Sequence, residues 1–77
     1  MSADPIPFVL RGEFIPLDAL LKATGLAPSG GRARMLIAEG QVRVDGQVDR
    51  RKTAKIRAGQ RVQLAGLSIA VQAADPA

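Results

Sequence analysis

The sequence contains no cysteine, no histidine, no tryptophan and no tyrosine. Without cysteine, neither disulfides nor thiolate metal sites can reinforce the fold. Without histidine, the commonest metal ligand and the usual general base at neutral pH are both missing. Phe8 and Phe14 are the whole aromatic complement, and neither lies in the basic part of the chain. Readers of single-stranded nucleic acid stack bases on aromatic platforms, so that mode is disfavoured and both rings are expected in the core. No continuous apolar run is long enough to cross a bilayer. The first residues, MSADPIP, lack the charged start and apolar stretch of a secretory signal. The expectation is a soluble cytoplasmic protein with no membrane partner.

What is present is positive charge, unevenly placed. Over 77 residues the formal net charge is +4, yet residues 30–61 hold nine bases against three acids, a local +6. The flanks, 1–29 and 62–77, each carry −1. A basic middle between nearly neutral ends suits a polyanion, with nucleic acid ahead of membrane, while a merely solubilising surface has the same composition. A chain this short forms one small domain, expected over residues 6–72, with loose ends at 1–5 and 73–77.

Periodicity divides the chain in two. "PFVLRG", 7–12, reads as a strand, with Pro7 favouring an edge or a strand start. Leu17, Leu20, Leu21 and Thr24 then recur at helical spacing, with Pro16 tolerated in a first turn and Gly25 fitting the position after the last. Ser29 is a candidate N-cap for a second helix that Gly40 ends. On that helix Ala33, Leu36 and Ile37 share one face, Arg34 falls nearly opposite and Arg32 lies on the flank. From Gln41 the period becomes two: "QVRVDGQV" places Val42 and Val44 on one face and includes Asp45-Gly46, a strong hairpin signal. After the interruption "DRRKTAK" and the turn "AGQ", the run "RVQLAGLSIAVQA" reads as two strands about Ala65-Gly66. The expected class is α+β, two short helices packed on a small antiparallel sheet. Its core is expected to hold Leu17, Leu20, Leu21, Ala33, Leu36, Ile37, Val42, Val44, Ile56, Val62, Leu64 and Ile69.

Several chemistries are excluded by spacing. A phosphate-gripping P-loop needs a lysine and a hydroxyl after its second glycine and a strand before it. Here Gly30-Gly31 leads into Arg32-Ala33 and follows a turn after a helix. Glu39, Asp45 and Asp49 are too scattered for a coordination shell or an acid–base pair, and no serine or threonine has a histidine to activate it. Neither an enzyme nor a metal or other cofactor is expected. The start of the second helix is better suited to an anion, because the amides of Gly30, Gly31 and Arg32 point outward and Arg32 and Arg34 add charge. A cap satisfied by Ser29 and water accounts for the same residues. The second basic cluster, "RRKTAKIR", likewise stands for an ordinary solvated loop unless the fold brings Arg32, Arg34 and Arg43 beside it in one patch.

The ordered set Leu17-Asp18, Gly25-Leu26-Ala27, Ser29, Ala33, Leu36-Ile37, Gly40, Val42, Val44, Asp45-Gly46, Ile56 and Gly59-Gln60 resembles the S-four-type RNA-binding domain, also called the alpha-L motif. The resemblance covers about residues 14–64. It departs at Gly30, where many members have arginine, and at Lys52-Thr53, where Pro-Ser is usual. Both departures are similar to the short stand-alone bacterial branch of that family. The resemblance implies the alpha-L fold and binding of structured RNA, ribosomal RNA first and tRNA next, with ribosome association. The residues expected at the RNA are Ser29, Gly30, Gly31, Arg32 and Arg34 on the second helix, with Arg43, Arg50, Arg51, Lys52 and Lys55 extending the patch. The rival expectation is a protein-interaction module whose basic face meets an acidic partner or a ribosomal protein. Oligomeric state and the identity of the RNA are not legible in the sequence.

Overall fold

Alternating inward and outward side chains over Ile6–Leu10 make the first strand, β1, which ends on buried Leu10. A computed structural model describes residues 4–74. The chain continues through the two-residue strand β2 (Ile15–Pro16), helix α1 (Leu17–Ala23) and helix α2 (Gly30–Ala38). It then forms β3 (Val42–Val44), β4 (Gln47–Val48), β5 (Lys55–Ile56), β6 (Arg61–Leu64) and β7 (Leu67–Ala73). The five-stranded sheet has the order β1-β7-β6-β3-β4, and β2 pairs with β5 in a second, two-stranded sheet.

The fold is α+β with the two helices against one sheet face, as the patterning predicts. The sheet is not wholly antiparallel, however: β1 runs parallel to β7, with Ile6 opposite Ile69 and Leu10 opposite Ala73. Parallel strands need a long crossover. Here nearly the whole chain supplies it, so no local signal marks the pairing. The two hairpins lie where the dipeptides place them, β3–β4 about Asp45-Gly46 and β6–β7 about Ala65-Gly66, each with positive φ at both turn residues.

Both helices have defined ends. In α2 the Ser29 Oγ accepts from the Arg32 N–H at 3.1 Å, the interaction that makes serine a good N-cap. At its other end the Gly40 N–H donates to the Ile37 carbonyl and the Gln41 N–H to the Leu36 carbonyl, a Schellman arrangement. In α1, Pro16 is the N-cap and also closes β2, instead of sitting in the first helical turn. It offers no side-chain cap. The amides of Leu17 and Asp18 donate instead to the carbonyls of Ala54 and Lys52, at 2.9 and 3.1 Å. The basic loop thus satisfies donors that every helix start leaves open.

One buried cluster joins the helices to the sheet, and all the expected core residues belong to it except Val44, which is half-buried against it. Leu10, Ala27, Ala54 and Val71 join them. Phe8 packs against the cluster but Phe14 does not: it is 38% exposed, with the Lys55 Nζ 5.1 Å from its ring centroid. Strand β7 extends to Ala73, and the Ala74 N–H donates to the Leu10 carbonyl. Of the ends expected to be loose, 1–3 and 75–77 lie outside the described residues.

Candidate nucleic-acid interface

The start of α2 has two kinds of donor. Arg32 N–H is held by Ser29, and Ala33 N–H makes the first helical bond to the Ser29 carbonyl at 3.0 Å. The amides of Gly30 and Gly31, the two residues just before, have no partner among the described residues. Gly31 has only the Ser29 hydroxyl within 4 Å of where a Cβ would stand, so a ligand can approach its backbone closely.

Arg32 and Arg34 stand about 200° apart around the helix axis, and the fold gives them different neighbours. Arg34 turns toward α1: its Nε donates to the Gly30 carbonyl at 3.2 Å and lies 3.7 Å from Asp18 Oδ2. Its side chain remains half exposed, so the pair is a weak surface one and the guanidinium keeps donors to offer. Arg32 instead borders a shallow apolar groove with Leu26, Pro28, Leu36, Leu64 and Leu67, on the side of the β6–β7 turn.

The loop bases also divide. Arg50 crosses Gly40 so closely that a Cβ there would lie 2.8 Å from its guanidinium. This places it at the C-terminal end of α2, where a cation is favoured by the helix dipole. Lys52, whose carbonyl caps Asp18, stands at the start of α1 beside the Arg34–Asp18 pair. Arg51 is engaged with Asp49: its backbone N–H and Nε donate to Oδ1 at 2.9 and 3.1 Å, and its terminal nitrogen to Oδ2 at 2.8 Å. Those side-chain hydrogen bonds hold the Asp49 carboxyl below its ordinary pKa despite partial burial, and they raise Arg51 above its own. Lys55 sits over Phe14, a cation–π contact of about 0.5–1 kcal/mol at an exposed site.

Helix α2, the start of α1 and the loop between β4 and β5 therefore adjoin one another, and these elements carry Arg34, Arg50 and Lys52. Arg43 lies elsewhere. Val42 and Val44 point to the helices, so by the two-residue period Arg43 projects from the opposite face of the sheet. The basic residues expected in one patch thus occupy two faces. Arg61, which sequence reasoning leaves out of the site, lies on the same outer face as Arg43. Its alternation with buried Val62 and Leu64 is the signal that places it there.

The described residues hold no group of three carboxylates or other metal-ligating side chains, and no helix is long and apolar enough to cross a membrane. A family model, the S4 domain, matches residues 8–72. The chain belongs to the S4 domain family. This S4 domain is 52% identical over 59 residues to YbcJ of Escherichia coli (strain K12), covering 77% of the chain and 84% of the relative. A YbcJ protein of Shigella flexneri matches with the same identity and coverage. The solution structure of YbcJ from E. coli, described as revealing an alfaL motif involved in RNA-binding, matches with a TM-score of 0.71 at 44% identity. That match covers 94% of this S4 domain and 92% of the YbcJ chain. The helix pair and the loop that caps it are the parts of the S4 domain that carry Arg34, Arg50 and Lys52, while Arg43 and Arg61 lie on the outer face of the sheet.

Proposed function

We propose that this S4 domain is an RNA-binding module that holds structured RNA by its phosphates, with ribosomal RNA as the first candidate, on the ribosome or during its assembly, and tRNA as the second. The observation that supports this reading is that Arg34, Arg50 and Lys52 lie on adjoining elements, with Arg34 beside the α2 start where the amides of Gly30 and Gly31 are open and Arg50 at the other end of the same helix. Guanidinium and ammonium groups beside unpaired backbone donors make charge-assisted hydrogen bonds to phosphate oxygens. Ser29 fixes the helix start, and Arg32 reaches the ligand from the far flank of α2. Arg51 and Lys55 extend the face electrostatically while engaged with Asp49 and Phe14. With one half-exposed cation–aromatic pair and no stacking platform among the described residues, recognition rests on backbone and shape, as suits a folded RNA. No residue is assigned a chemical step.

The test is an electrophoretic shift of hairpin RNAs across a salt series, with the Arg34→Ala, Arg50→Ala, Lys52→Ala triple variant beside the original. Affinity is expected to fall for every hairpin alike. The slope of log K against log salt should flatten by about 2–3, at roughly 0.9 for each phosphate no longer neutralised. An unchanged slope would reject the face. Failure of the original protein to bind RNA at physiological salt, while still capturing an acidic protein, would favour the interaction-module reading.

A further inference from the structure

We propose that the outer face of the sheet is a second RNA-binding surface, centred on Arg43 and Arg61, and that the domain joins two RNA segments by holding one on each face. The inference rests on the RNA-binding reading above but concerns residues that the helix-side ligand cannot reach. In the sheet register Arg43 lies opposite Gln63, and Arg61 is two residues along the same strand from Gln63. Residues in this diagonal relation are about 7–8 Å apart and share a face, so both guanidiniums address one stretch of a ligand. Gln63 neighbours both, and Ser68 stands opposite Gln63 on β7, adding neutral hydrogen-bonding groups to the same surface.

These side chains line a depression of about 570 Å³ with Gln41 and the turn residues Ala65 and Gly66. Among the described residues neither Arg43 nor Arg61 has a carboxylate within ion-pair distance, unlike Arg34 and Arg51. Asp4 is the one acid lining the depression. Asp45, at the end of β3, is already occupied by the Arg61 backbone N–H and the Gln60 side chain, at 2.9 and 3.2 Å. Two unpaired guanidiniums beside Gln63 and Ser68, against a single carboxylate at Asp4 in an open depression, fit a phosphodiester backbone better than a small anion, which would need enclosure. Arginine forks bind phosphate oxygens in pairs. The sheet and its buried cluster separate this surface from Arg34, Arg50 and Lys52, so one straight helical stem cannot touch both.

Native mass spectrometry of the full chain with a short hairpin RNA of mixed sequence, at low salt, counts hairpins per chain. The original protein is expected to carry two. Arg43→Glu with Arg61→Glu, and separately Arg34→Ala with Arg50→Ala and Lys52→Ala, should each carry one. The milder Arg43→Gln, Arg61→Gln pair should weaken the second hairpin at least tenfold, with circular dichroism verifying the fold of each variant. One hairpin per chain in the original protein, or a second hairpin indifferent to both Arg43/Arg61 pairs, overturns the proposal while leaving the first face standing. Absence of even one hairpin overturns both.

Discussion

Ala65 adopts a φ of 53° at the first turn position between β6 and β7, a conformation that costs a residue with a Cβ about 1–2 kcal/mol. The corresponding position in the other hairpin is Asp45, whose short polar side chain tolerates it better. Ala65 is exposed, so changing it removes no packing. Ala65→Asn is expected to stabilise the domain by up to about 1 kcal/mol, a rise of about 4–8 °C in Tm for a chain of this size, read by thermal unfolding. A second residue-scale effect belongs to Asp49. Its folded pKa lies below the ordinary carboxylate value, so its ionised form stabilises the fold above that value and the contribution is lost as pH falls through the folded one. The original protein should therefore melt above Asp49→Asn at pH 7, and the two curves should converge only once the pH has fallen well below the ordinary carboxylate value of about 3.9. A gap that persists unchanged at low pH would mean that the carboxylate contributes nothing through its charge.

Among the elements, the helix pair is the most legible part of the sequence. Leucine spacing, Ser29 and the glycines after each helix are local signals, and the structure uses them where they stand. The pairing of β1 with β7 is not legible, because partners more than sixty residues apart leave no mark on their neighbours. The same distinction holds for the site. That Arg32 and Arg34 diverge follows from helical geometry, but that Arg34 meets Asp18 depends on how α1 packs. Arg51 is tied up by Asp49 only because the loop curls back on itself. Phe14 escapes the core expected for it because hydrophobicity alone does not separate a core ring from one that lies under a lysine. Gly40 couples two elements: its φ of 78° ends α2, and the Arg50 guanidinium lies only 2.8 Å from where a Cβ would stand. Gly40→Ala should cost about 1–2 kcal/mol through backbone strain. It should also displace Arg50, so RNA affinity measured well below the melting temperature should fall even where the protein remains folded. Affinity equal to that of the original would separate Arg50 from the interface.

As a whole molecule the domain depends on one cluster shared by sheet and helices. Small domains bury a limited share of their surface and have little stability to lose. Ile37 is fully buried in that cluster, and Ile37→Ala should cost about 2–5 kcal/mol. Set against a total of about 5–15 kcal/mol for folded domains generally, such a loss should lower the urea midpoint sharply and leave a substantial unfolded population at physiological temperature. A midpoint close to the original would show that helices and sheet do not unfold together.

The loop that caps α1 has one more consequence. Its hold on the helix runs through the carbonyls of Lys52 and Ala54, groups that every amino acid possesses. The loop therefore behaves as a frame of fixed length whose lettering is free. Side chains at 50–53 can be exchanged to suit a different polyanion without moving the helix. One residue inserted or removed between Lys52 and Ala54 would change the spacing of the two accepting carbonyls, so that the amides of Leu17 and Asp18 could no longer both be met. Diversification at this loop is thus open to substitution and closed to changes of length.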